Sequence, residues 1–119
     1  MKRFGVTVLG AIVASSVSGP AFSAELDKAI RGTWKGPHVE SCQALRDQTA
    51  DDYIIFGKKG FERHEGKCVI TKYSREAKTH SLKFLCETEG ETVRGDMKVT
   101  VLNADRISIA GAGQYERCK

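Results

Sequence analysis

The chain has 119 residues, 29% charged and 40% hydrophobic, with 19 basic against 15 acidic side chains and a formal charge of +4. That length makes one small domain, and the charge excess is too slight to mark a polybasic chain. Only 8% of residues are aromatic, and they do not interleave with the basic ones as a nucleic-acid stacking platform requires.

Lys2 and Arg3 open the sequence as a basic n-region, and Phe4 to Val17 form an apolar run too short and too rich in Gly and Ser for a membrane span. Ala21 and Ser23 supply the small residues a signal peptidase reads, which predicts cleavage after Ser23 and a mature N-terminus at Ala24. No cysteine lies at that junction, so no lipid anchor is expected there. The segment takes two basic residues and no acid with it, leaving 96 residues with 17 basic and 15 acidic side chains as a single domain over residues 24–119. Export to the periplasm or beyond places Cys42, Cys68, Cys86 and Cys118 in an oxidising compartment, where four thiols imply two disulfides.

Leu26, Ala29 and Ile30 have the spacing of one or two helical turns. Short β-branched and aromatic runs follow, predicting strands over Arg31–Gly36, Asp52–Gly57, Phe61–Glu65, Lys67–Ser74, His80–Thr88, Glu91–Leu102, Arg106–Ala110 and Gln114–Cys118, with Gly95 a point where the sixth can divide. Gly57-Lys58-Lys59-Gly60, Glu89-Gly90-Glu91, Asn103-Ala104-Asp105 and Gly111-Ala112-Gly113 carry turn chemistry. The polar stretch from Ser41 to Asp51 can hold a helical turn around Ala44-Leu45. The expected fold is therefore all-β, a small antiparallel meander barrel of about seven or eight short strands with a short N-terminal helix and two disulfides. At this size side chains are expected to fill the barrel, namely Trp34, Ile55, Ile70, Leu82, Phe84, Val99, Val101 and Ile107.

Four cysteines allow three connectivities. Cys68 and Ile70 share a strand face, as do Leu82, Phe84 and Cys86 on the next strand. Antiparallel pairing with Cys68 opposite Cys86 sets Ile70 against Phe84 and Lys72 against Leu82, closing a five-residue loop over Arg75–Thr79. That register leaves Cys42 to pair with Cys118.

Chemistry-bearing constellations are sparse. His38, His64 and His80 stand in no metal-ligand spacing, and Glu62, His64 and Cys68 are better read as a solvated strand face beside a disulfide cysteine. Asp51-Asp52 opens a strand as turn chemistry rather than as an acid–base pair. No serine sits in a nucleophile elbow, and no Gly-rich loop precedes a helix. These features point away from an enzyme and toward no cofactor and no metal. Charge is uneven, with eight basic residues between Lys58 and Lys83 against Glu62, Glu65 and Glu76, followed by acids at Glu87, Glu89, Glu91 and Asp96. Lys58, Lys59, Arg75 and Lys78 fall at expected turn tips, where cations can guard sheet edges or meet an acidic partner surface.

Gly32-Thr33-Trp34, after a helical turn and opening the first strand, resembles the Gly-x-Trp signature of the lipocalin and wider calycin barrels. In that group a basic residue of the last strand lies across the Trp, and Arg117 occupies the matching position here; such a contact contributes about 0.5–2 kcal/mol. The chain is much shorter than most lipocalins, which leaves a lipocalin-like small-ligand binder as the alternative to a protein binder. Among small disulfide-bonded periplasmic barrels it is similar in type to the lysozyme inhibitors, which insert a loop into the acidic catalytic cleft. Their Ser-Gly-x-x-Tyr stretch is echoed by Ala110-Gly111-Ala112-Gly113-Gln114-Tyr115, with Ala in the Ser position and one residue more. The resemblance implies an inhibitor of a host enzyme such as c-type lysozyme; a secreted effector is the third expectation.

Overall fold

The computed structural model describes residues 25–64 and 66–119; the expected signal sequence, its cleavage junction and Glu65 lie outside them. A 3-10 turn, Lys28–Ile30, begins the described chain, capped by the Asp27 carboxylate, which accepts from Ala29 N–H at 2.8 Å. Eight strands follow: β1 Gly32–Lys35, β2 Tyr53–Phe56, β3 Gly60–Arg63, β4 Gly66–Glu76, β5 Thr79–Thr88, β6 Glu91–Asn103, β7 Arg106–Ile109 and β8 Gly113–Cys118. A single short helix, α1 Cys42–Arg46, interrupts the β1–β2 connection, with the Ser41 hydroxyl at its N-cap. Each strand pairs antiparallel with its neighbour, and β1 pairs with β8, closing the barrel. The fold is the expected all-β meander. Gly95 does not divide β6, because it meets Phe84 across an unbroken β5–β6 register and leaves room for that ring; a Cβ there would collide with it.

Both disulfides follow the expected pairing, Cys42–Cys118 and Cys68–Cys86. Cys68 stands opposite Cys86 and Ile70 opposite Phe84, but a bulge then intervenes. The Thr71 hydroxyl donates to the Lys83 carbonyl at 3.2 Å, Lys72 meets Lys83, and Tyr73 rather than Lys72 becomes the partner of Leu82. The expected five-residue loop is also shorter. Glu76 pairs with Thr79 around Ala77-Lys78, so Arg75 belongs to a strand.

The core matches expectation at Trp34, Leu82, Phe84, Val99 and Ile107, all buried, while Ile70 and Val101 are half-buried against it. Ile55 is a correction. Trp34 pairs with Ile54, so Ile54 and Phe56 turn inward with it and Ile55 turns out beside Thr33. Two consecutive isoleucines hid the choice, since a one-residue change of phase flips a strand's faces. Phe56, Phe61 and Phe84 fill the barrel as a chain of rings, with centroids 5.6 and 4.9 Å apart. Leu26 and Ile30, fully buried, plug the end at which β1 begins.

Candidate binding surfaces

The plugged end is held by contacts from four separate parts of the chain. Leu26 N–H donates to the Lys58 carbonyl at 2.7 Å, tying the plug to the β2–β3 turn. Arg75 Nη1 reaches the Asp27 carboxylate at 2.8 Å, tying it to β4. Trp34 Nε1 donates to the Ile30 carbonyl at 2.9 Å. Arg117 lies across the Trp34 ring, with Cζ 4.2 Å from its centroid, and donates to the carbonyls of Ala29, Arg31 and Ala104. Gly32 makes room for this arrangement. Its φ of 116° suits glycine, and a Cβ would meet Arg117 Nη1 at 2.8 Å.

The same contacts gather cations around the plug. Lys58 and Lys59 project from the β2–β3 turn and Lys78 from the β4–β5 turn, all exposed, and Lys28 stands exposed on the plug itself. Among the described residues none of these four lysines forms an ion pair, whereas Arg31, Arg75 and Lys119 are matched with Glu25, Asp27 and Asp105. Arg75 differs from its three companions in the sequence-derived set. Its guanidinium is engaged by Asp27 and by the Ala77 carbonyl, so it fastens the plug.

Beneath the plug His80 is fully buried. Its Nδ1 lies 2.7 Å from Tyr73 Oη with the two rings stacked, and its Nε2 has no hydrogen-bond partner. Burial, helped by the nearby Arg75 charge and opposed by Asp27, lowers the His80 pKa; burial likewise raises that of Tyr73. The Asp27 carboxyl is lowered, first by the Ala29 amide and then by Arg75.

At the opposite end Asp52 organises the long β1–β2 connection. It accepts from His38 N–H at 3.2 Å and from Tyr115 Oη at 3.1 Å, and its backbone carbonyl accepts from Gly36 N–H. Burial, with Asp52 nearby, pushes the Tyr115 hydroxyl up to about 12. Tyr115, the tyrosine of the Gly-rich stretch, therefore points into the barrel and not out from the β7–β8 loop. Asp51 is exposed beside it. His64 follows β3, exposed like Glu62 within it, and Cys68 is committed to its disulfide, leaving no thiolate there.

Sequence reasoning missed one concavity. The Cys42–Cys118 bridge pins α1 against the outside of the barrel, and a groove of about 430 Å³ opens between Leu45 and Arg46 of α1 and Thr33, Tyr53 and Ile55 of the sheet, with His64 at its edge. The outward turn of Ile55 makes its floor. Nothing local in the sequence signals it, because the groove lies between α1 and the outer face of the sheet, which meet only in the folded chain. The chain matches no known protein family, no characterised protein and no solved structure.

Proposed function

We propose that this protein is a non-enzymatic binder, exported to the periplasm or secreted, that presents its plugged, lysine-bearing end to an acidic surface of a protein partner. The observation that carries this reading is the convergence of Lys28, Lys58, Lys59 and Lys78, none of them in an ion pair among the described residues, around one rigidly fastened end of the barrel. Such a projection complements an acidic cleft and makes association salt-dependent. Two disulfides and a filled core supply a rigid support, so little ordering cost is incurred on docking. Among the described residues no helix is long and apolar enough to cross a membrane.

Inhibition of a host enzyme, with c-type lysozyme the sharpest case, is the specific form of this proposal. Lysozyme is itself basic, so the complex would rest on short-range fit to its acidic cleft rather than on long-range steering. A turbidity assay of bacterial lysis with the protein in excess tests it. Loss of lysis, relieved by Lys58→Glu and Lys59→Glu together, supports the inhibitor; undiminished lysis rules it out. A small-ligand binder is the second reading, favoured by the groove under α1 rather than by the barrel interior, which side chains occupy.

A further inference from the structure

The bulge at Thr71 changes the outer face of the sheet as well as the core. It turns Lys72 outward, directly opposite Lys83 of β5, which in turn stands opposite Asp96 of β6. The next rung of the same face is Ser74, Ser81 and Lys98. These six residues line one hollow of about 270 Å³ on the side of the barrel. Tyr73, Leu82 and Met97 point the other way, toward the core.

Lysine directly opposite lysine is unfavourable on a sheet face. Lys83 has a counter-charge in Asp96 Oδ1 at 3.2 Å, whereas Lys72 and Lys98 form no ion pair among the described residues. Ser74 and Ser81 are register partners, and neither hydroxyl has a hydrogen-bond partner among the described residues. Three ammonium groups and one carboxylate leave the hollow a formal charge of +2. It shares no lysine with the plugged end.

We infer that this hollow binds a phosphorylated sugar, with the phosphate monoester among Lys72, Lys83 and Lys98 and the sugar hydroxyls on Ser74, Ser81 and Asp96. A phosphate monoester carries about −1.5 to −2 charge at neutral pH, which complements the hollow, and its three terminal oxygens can each take one ammonium. A carboxylate brings a single charge and two oxygens, and its planar fork suits arginine better than three separate lysines. Asp96 decides against bare phosphate and against a uniformly anionic polymer, because it repels both, yet it accepts readily from hydroxyl groups. The hollow, about 270 Å³, lies just under the roughly 300 Å³ at which pockets for drug-sized ligands begin, so its size suits one sugar unit.

Titration of the purified protein with glucose 6-phosphate, followed by amide NMR, tests the inference, with circular dichroism confirming that each variant is folded. Saturable shifts should centre on Ser74, Ser81 and Lys98, with a dissociation constant on the order of millimolar because the lysines stay solvated. Lys72→Gln and Lys98→Gln should each weaken binding roughly ten-fold, as expected for the loss of one charge-assisted hydrogen bond. Inorganic phosphate should bind more weakly than glucose 6-phosphate, and Asp96→Asn should remove that difference by weakening the sugar phosphate and strengthening the bare ion. Shifts centred on Lys58 and Lys59 overturn the inference, as does inorganic phosphate binding as tightly as glucose 6-phosphate. Indifference to both lysine variants, or a titration that never saturates, overturns it equally.

Discussion

Arg117 and Trp34 are register partners across the β1–β8 seam, and the guanidinium carbon rests 4.2 Å from the centre of the indole ring. The pair joins the last strand to the first where the barrel closes. It also carries the plug, because Arg117 donates to the carbonyls of Ala29 and Arg31 while Trp34 donates to that of Ile30. Trp34→Ala should cost about 3–5 kcal/mol as a large-to-small change in a packed core. Arg117→Ala should cost about 2–4 kcal/mol, since charge-assisted bonds to the part-buried Ala29 and Arg31 carbonyls and the ring contact are lost together. Arg117→Lys should recover only part of this. Urea unfolding followed by Trp34 emission measures all three; an emission maximum typical of exposed indole in the folded wild type would contradict the burial.

His80 makes stability depend on pH. Its folded pKa lies below the ordinary value of 6.5, so the unfolded chain takes up the proton first as pH falls. The contribution is fully present above about 6.5 and is lost as pH falls toward the folded pKa, at up to about 1.4 kcal/mol per pH unit between the two values. Asp27 adds a second loss at lower pH, because its carboxyl is lowered from 3.8 and must be protonated there. Denaturation midpoints for wild type and His80→Leu should diverge with pH: the wild type loses stability as pH falls below about 6.5, and the variant should lose much less.

The Cys42–Cys118 bridge closes a sequence separation of 76 residues and Cys68–Cys86 one of 18, so chain entropy assigns the larger effect to the first. Replacing Cys42 and Cys118 together by Ala should cost about 4 kcal/mol and release α1 from the sheet. Hydrogen exchange should then quicken in α1 while the Cys68–Cys86 hairpin remains protected. Unchanged protection of α1 would show that its packing, not the bridge, holds the groove.

Ala77 sits in the two-residue β4–β5 turn with a φ of 56°, a conformation that costs a side chain energy glycine does not spend. Ala77→Gly should raise stability by about 0.5–1 kcal/mol, and thermal unfolding will register it. Lys78 keeps its place at the tip, so the lysine-bearing end should be unaffected.

Strand number, the turns that carry glycine or asparagine and the Cys68–Cys86 pairing as far as Ile70 were legible because period-two alternation and turn chemistry are local properties of a few residues. The same locality explains what was not. Ile54-Ile55 offers either face of β2 to the core, and only pairing with Trp34 turns Ile54 inward and leaves Ile55 as the floor of a groove. The bulge at Thr71 has no mark in a run of strand-forming residues, yet it decides that Tyr73 enters the barrel and meets His80. Lys28, Lys58, Lys59 and Lys78 are scattered along the chain, and their common end exists only because the meander returns alternate turns to the same rim. By itself the sequence determined an all-β, twice-bridged chain with a tryptophan at the start of its first strand. Which side chains share a surface was decided by closure of the barrel, since closure joins β8 to β1 and sets the phase of every strand between them.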